Sequence, residues 1–273
     1  MSHVELTEQI IESMRARDPD EPIAMINLLK FRDSALPELN MGSTTGHDCY
    51  FDHYGAGVSP IADRLGTGYS LLYLNEVHSC FFATIDEDWD YLLILQYPSR
   101  RAFIEMVTDP EYQELLKYRS AALANSRLIE CVNDTPVDYP LNLQAPPPSD
   151  PVIDRPGLFS DPRVNAVNGR DPKQPTDMLN LIRLAEVTQP GGGVDNMSGA
   201  QGYEEYRTGV TSLYAERAGV AITWRAFPVA TLIGPEEECW DEALIYHYDS
   251  REQMLSMFTD YDDYRVNHLP KRN

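Results

Sequence analysis

The sequence predicts an α+β protein built from two βαββαβ modules that pack on each other within one chain, and three observations carry that expectation. One long pattern is written twice: Met25-Ile26-Asn27-Leu28-Leu29-Lys30-Phe31 returns as Met178-Leu179-Asn180-Leu181-Ile182-Arg183-Leu184. Likewise Trp89-Asp90 followed by Gln96-Tyr97-Pro98-Ser99-Arg100 returns as Trp240-Asp241 followed by His247-Tyr248-Asp249-Ser250-Arg251. The copies are colinear, since 153 positions separate Asn27 from Asn180, 152 separate Tyr54 from Tyr206, and 151 separate Trp89 from Trp240. Within each copy the hydrophobic period switches in the same order from strand to helix and back. A solenoid needs more stacked units than two. A pseudo-twofold pair of like modules, an intramolecular pseudo-dimer, is the expected arrangement.

The elements follow in order. Residues 1–20 form an N-terminal arm, in which Val4, Ile10, Ile11 and Met14 among charged residues suit an amphipathic helix over 4–17, a lid or packing arm. Module one spans 21–133. Its first strand, Ile23 to Phe31, and the matching Thr176 to Leu184 are nearly continuous apolar runs, so both faces should be covered. Polar loops with glycine follow, from Asp33 to His47 and from Glu186 to Ala200, the second holding Gly191-Gly192-Gly193. Phe51, Tyr54, Val58, Ile61, Ala62 and Leu65 recur at helical spacing, as do Tyr203, Tyr206, Val210, Leu213 and Tyr214. Gly66 and Gly219 suit left-handed caps at the ends of these helices.

Strands are expected next at Tyr69 to Val77 and Ala221 to Ile233, then at Tyr91 to Tyr97 and Ala243 to Tyr248, each pair antiparallel around an acidic turn. Ser99 and Ser250 stand where helix N-caps belong, and Gln253 completes a capping box with Ser250. The second helix of each module presents Phe103, Met106 and Val107, or Met254, Met257 and Phe258. Arg127 to Val132 closes module one as a last strand. Residues 134–173, with eight prolines between Pro136 and Pro162, read as an extended linker. Module two spans 174–273, and its last strand is expected to be missing or supplied from elsewhere. The order of elements is that of the ferredoxin-like split βαβ fold, whose sheet leaves one apolar face that a second copy can cover.

Composition bounds the function. At 273 residues, 42% hydrophobic and 24% charged, the chain has the makeup of an ordinary globular protein. A net charge of −21 argues against nucleic acid and against anionic membrane surfaces as partners. No run approaches membrane-spanning length, and Glu5, Glu8 and Glu12 do not make a signal peptide, so a cytoplasmic location is expected. Cys49, Cys80, Cys131 and Cys239 lack CxxC spacing and are expected to be buried thiols.

The run at 25–31, the helix with Tyr54, and Tyr97-Pro98-Ser99-Arg100-Arg101-Ala102-Phe103 leading to Met106-Val107-Thr108-Asp109-Pro110-Glu111-Tyr112 resemble the bacterial domain-of-unknown-function family thirteen-thirty. That resemblance implies the dimeric α+β barrel superfamily, here as a tandem duplication. The superfamily it implies includes cofactor-free monooxygenases, muconolactone-type isomerases, polyketide cyclases and haem-binding enzymes. Single-domain relatives would form homodimers, whereas this chain fuses two diverged copies and lacks the Pro-Glu-Tyr in module two. A homodimer of the fused chain stays open.

Candidate site residues sit in both modules. Asn27 and Asn180 interrupt apolar strands, and a buried amide is either an anchor for a substrate oxygen or a structural hydrogen-bonding group. Lys30 and Arg183 share a register, where a cation either clamps a carboxylate or pairs with one of the chain's own 43 acids. Tyr54 and Tyr206 bring a hydroxyl into the helical stripe. Arg64 and Arg217 end those helices and are explained by the helix dipole. Module two alone places Trp224-Arg225 on one strand and His247 on the next, beside Tyr206 and Tyr248. His247 as general base with Arg225 as its anion-stabilising neighbour is the sharpest catalytic expectation, set against a histidine merely hydrogen-bonded at a sheet edge. His47, Asp48, Asp52 and His53 read as a capped, solvated helix start rather than a metal site, and no Walker, GxGxxG, Ser-His-Asp or HExxH motif occurs.

These features lead to the expectation of a cofactor-independent enzyme, needing neither metal nor organic cofactor. Its substrate would be a small, largely apolar carbonyl or aromatic compound held between sheet and helices for proton transfer, isomerisation, cyclisation or oxygenation. The alternatives are a non-catalytic binding or scaffold protein, and a haem binder with His47, His53 or His247 as axial ligand.

Overall fold

A computed structural model describes residues 4–37, 44–80, 87–134, 170–188, 196–218 and 220–259. The chain divides into two compact units, one of Met1–Asn133 with Phe227–Cys239, the other of Asp134–Ala226 with Trp240–Asn273. Each is α+β with antiparallel strands.

In the first unit, helix α1 (Glu8–Arg15) starts at Thr7, whose hydroxyl accepts from the Ile10 amide. Strand β1 (Ile23–Phe31) is central, and Ile23 through Leu29 are all buried, as its unbroken apolar run requires. Helix α2 runs over three segments: α-helical Gly46–Asp48, a π-helical stretch Cys49–Gly55, and α-helical Ala56–Leu65, ended by Gly66 at φ 64°. Strands β2 (Ser70–Glu76) and β3 (Tyr91–Tyr97) follow.

Where the sequence pattern implied one second helix, the chain forms two. Helix α3 (Arg100–Thr108) is capped by the Ser99 hydroxyl, and α4 (Pro110–Ala122) begins anew with Pro110 in its first turn and Asp109 capping it. Asp109 is extended, φ −64° and ψ 134°, the conformation a residue before proline prefers, so Asp-Pro starts a helix rather than continuing one. Strand β4 (Leu123–Asn133) begins four residues earlier than the expected Arg127 because the chain passes straight from α4 into extended backbone at Leu123.

Strand order β2-β3-β1-β4 is that of the ferredoxin-like sheet. Asn27 stands opposite Leu93 on β3 and Leu128 on β4. A buried ion network locks the start of α3 to β4. The Arg100 Nε donates to Glu130 at 2.6 Å, its other nitrogens reach Glu21 and the Asp18 carbonyl, and Arg17 meets Glu130 at 2.8 Å.

The second unit repeats the order with β5 (Thr176–Ile182), α5 (Gly199–Ala218), β6 (Val220–Ile233), β7 (Glu242–Tyr248) and α6 (Arg251–Thr259). The first part of β6 pairs with β7, and β7 with β5, giving β6-β7-β5, the counterpart of β2-β3-β1. The Ser250 hydroxyl accepts from the Gln253 amide at 3.1 Å, as the capping box requires. The remainder of β6, Phe227–Ile233, belongs to the first unit. Most of the linker, Gly191 to Gly193, Gly219 and any last strand after residue 259 lie outside the described residues.

All four cysteines are free; Cys49 and Cys131 are buried as expected, whereas Cys239 is exposed. Among the described residues no helix is long and apolar enough to cross a membrane.

Candidate functional site

The residues singled out in the second unit form separate pairs. The Nδ1 of His247 lies 2.7 Å from Asp177, its neighbour across the β5–β7 ladder. Arg225 instead pairs with Glu242 and Asp134, and it stands opposite Leu244, three positions along β7 from His247. Tyr248 is buried, the Tyr206 ring lies tilted against that of Tyr203 at 5.4 Å, and Trp224 lies opposite Ile245. Asn180 donates to the carbonyl of Met178, and Arg183 is exposed. A carboxylate partner thus satisfies both His247 and Arg225, the arrangement expected of sheet-surface ion pairs.

In the first unit, Lys30 is held by Asp88 and Asp90 at 2.7 and 2.9 Å, and although burial opposes it these carboxylates raise its pKa. His47 packs edge-on against Phe31 and beside Phe51, and His53 stacks on Tyr118. Arg64 reaches Asp109 at 2.8 Å, tying α2 to the cap of α4. Among the described residues no group of three or more His, Cys, Asp or Glu is placed to hold a metal.

The first unit does contain a cavity of about 240 Å³ between the sheet and its helices. Its wall is apolar, with Met25, Leu95, Phe103 and Val107 prominent. Eight polar side chains interrupt it: Asn27 from β1, Tyr50 and Tyr54 from the π-helical stretch, Tyr69 just ahead of β2, Tyr97 from β3, and Tyr112, Gln113 and Arg119 from α4. A π-helical turn admits one extra residue per turn, and such turns are frequent at functional sites. Here that stretch brings Tyr50 and Tyr54 together at a ring separation of 5.1 Å.

The Tyr54 and Tyr112 hydroxyls hydrogen-bond each other at 2.6 Å. Asn27 uses its amide nitrogen on the Met25 carbonyl at 3.2 Å, leaving its amide oxygen without a donor among the described residues. Arg119 is 4% exposed. One of its nitrogens donates to the Ser126 hydroxyl at 3.1 Å, and among the described residues no carboxylate lies within 4.0 Å of it.

Burial governs the acidity of these groups, because the charged phenolate is poorly solvated inside. It holds the Tyr50, Tyr54 and Tyr97 hydroxyls well above the usual tyrosine range and pushes Tyr112 up to about 12. Arg119 works against burial at Tyr50, Tyr54 and Tyr112 without overcoming it. The phenols therefore stand protonated at neutral pH as hydrogen-bond donors. No Asp, Glu, His or Lys is among the described residues lining the cavity.

Asn27 and Tyr54 are the two sequence-predicted site residues that the structure brings together. Arg119 was not singled out by the sequence reading. Its signal was its spacing: Tyr112, Leu116 and Arg119 fall on one face of α4, placing a cation on an otherwise apolar stripe.

No family model matches the chain, and no curated protein matches it. Among solved structures, a protein of unknown function from Rhodopseudomonas palustris is 35% identical over 48% of this chain and 95% of that one, with a TM-score of 0.43. A methylated form of that protein is 34% identical over 50% of this chain and 98% of that one, with a TM-score of 0.45. A mutant chlorite dismutase from Candidatus Nitrospira defluvii, in complex with cyanide, is 8% identical over 94% of this chain and 87% of that one, with a TM-score of 0.43.

Proposed function

Since the chain belongs to the family of the Rhodopseudomonas palustris protein of unknown function, no activity carries over from that relative, and we propose one from the site itself. In this reading the first unit is a small-molecule enzyme that needs no cofactor and takes a compact, largely apolar carbonyl or aromatic compound into its cavity. The observation that carries the proposal is the convergence of Asn27, Tyr50, Tyr97 and Arg119 on an apolar cavity of about 240 Å³. A cavity of about 150 Å³ suffices for benzene, so this one takes a single ring with one or two small substituents. Protonated phenols and a guanidinium in a water-poor site favour chemistry in which charge develops on a substrate oxygen. Such donors stabilise the charge that develops on an enolate oxygen, as isomerisation and cyclisation demand. The same proposal places the first module in the domain-of-unknown-function family thirteen-thirty, on the 25–31 and 97–112 segments, and the second module in it more loosely.

A second reading, non-catalytic binding, is favoured by one specific observation: no carboxylate, imidazole or amine is present among the described lining residues to act as base. Incubation with acetophenone in heavy water separates the two. An enzyme of the proposed kind speeds deuterium uptake at the methyl group, whereas a binding protein holds the ketone without exchange. A crystal structure from an acetophenone soak with the cavity filled by side chains would remove both readings.

A further inference from the structure

Among the described residues lining the cavity, Arg119 is the one charged side chain, and none carries the opposite sign. Taking a guanidinium out of water, as at Arg119, is unfavourable unless an anion meets it. Its hydrogen-bonding partners among the described residues, the Ser126 and Tyr50 hydroxyls, are neutral. Elsewhere in this unit buried arginines are neutralised by acids: Arg100 by Glu130 and Glu21, Arg127 by Glu238 at 2.5 Å. Arg119 departs from that pattern at the position where it faces an empty volume rather than packed chain.

The groups around it supply more donors and no charge. Tyr97 is fully buried, yet its hydroxyl has no hydrogen-bond partner among the described residues, and it shares the cavity with Arg119. The phenols do not neutralise the guanidinium, because burial keeps them protonated.

We infer that this cavity selects a compact, largely apolar anion, a ring-sized carboxylate or enolate, whose charged oxygen sits on the Arg119 guanidinium with the Tyr97 hydroxyl as a second donor. This rests on the proposed small-molecule reading and adds the sign of the ligand's charge to it. Charge-assisted hydrogen bonds are stronger than neutral ones, and a buried cation left unpaired by a neutral ligand adds to the difference. The net charge of −21 on the chain opposes any anion at long range, so the preference has to arise inside the cavity.

The test is calorimetric titration of the full chain, near neutral pH, with benzoate, benzamide and toluene, three probes of nearly one shape. Benzoate is expected to bind more tightly than benzamide by roughly tenfold or more. Arg119→Gln should abolish that difference while leaving toluene binding in place, and Tyr97→Phe should weaken benzoate several-fold without removing the charge preference. If toluene and benzamide bind and benzoate binds no better, the charge inference fails while the pocket stands. If none of the three binds, the small-molecule reading fails and this inference with it. The comparison among probes on the unaltered protein stands even where Arg119→Gln does not fold.

Discussion

Raising the pH should unfold the protein through its tyrosines, and the structure sets the scale. Tyr50, Tyr54, Tyr97 and Tyr112 keep their protons when folded, with Tyr112 pushed up to about 12 by burial and the others also raised. In the unfolded chain each ionises near pH 10. Between about pH 10 and about pH 12 the folded state therefore holds protons that the unfolded state has released, so stability falls as pH rises through that window and is unaffected below it. Each unit of pH above 10 costs about 1.4 kcal/mol per buried phenol. At pH 11 the four together lose roughly 5 to 6 kcal/mol, comparable to the whole stability of many domains. Phenolate absorbance and near-ultraviolet circular dichroism, followed in one alkaline titration, should show these hydroxyls ionising only as tertiary structure disappears. Tyr97→Phe, which removes a hydroxyl with no partner among the described residues, should lower the proton release on unfolding by one. Complete tyrosine ionisation in a single step near pH 10 with the dichroism unchanged would refute the argument, since the hydroxyls would then be reachable by water.

Other variants probe the frame around the cavity. Tyr112→Phe strands the Tyr54 hydroxyl and should cost about 1 to 3 kcal/mol in urea denaturation, whereas the double change Tyr54→Phe/Tyr112→Phe should be nearly neutral relative to that loss. Glu130→Gln leaves the Arg100 guanidinium buried with only part of its compensation, and a loss of about 3 to 5 kcal/mol is expected by the same measurement. Gly46→Ala would set a Cβ 2.4 Å from the Ala122 carbonyl oxygen and 2.5 Å from that of Arg32, so little folded protein is expected on purification. Gly66→Ala meets nothing within 4 Å but must keep φ at +64°, and about 1 to 2 kcal/mol of thermal stability should be lost.

Much of the fold was legible because it was encoded twice. Tyr91 to Tyr97 and Ile23 to Phe31 occur as strands at the expected bounds. The doubled helix of the first unit was hidden because Asp109-Pro110 reads equally as a helix end and a helix start, and only the backbone at Asp109 decides between them. The site was legible where polarity broke a strand, as at Asn27. It was illegible where the defining property was a missing partner. A sequence shows that Arg119 is a cation on a helix, but not that none of the described acids comes near it. Equally, the sequence sets His247 near Arg225 on neighbouring strands but does not show that Asp177 meets the one and Glu242 the other.

Strand β6 contributes its first residues to one unit and Phe227–Ile233 to the other. Leu232 and Ile233 are buried in the core of the first unit, Ile233 lines the cavity, and Glu238 neutralises Arg127. A fragment ending at the proline-rich tether would therefore expose hydrophobic wall and strand a buried guanidinium, however cleanly the duplication invites that cut. Dissecting this protein into halves by gene truncation would yield a first half with an open seam, so the intact polypeptide is the smallest piece on which ligand measurements are meaningful.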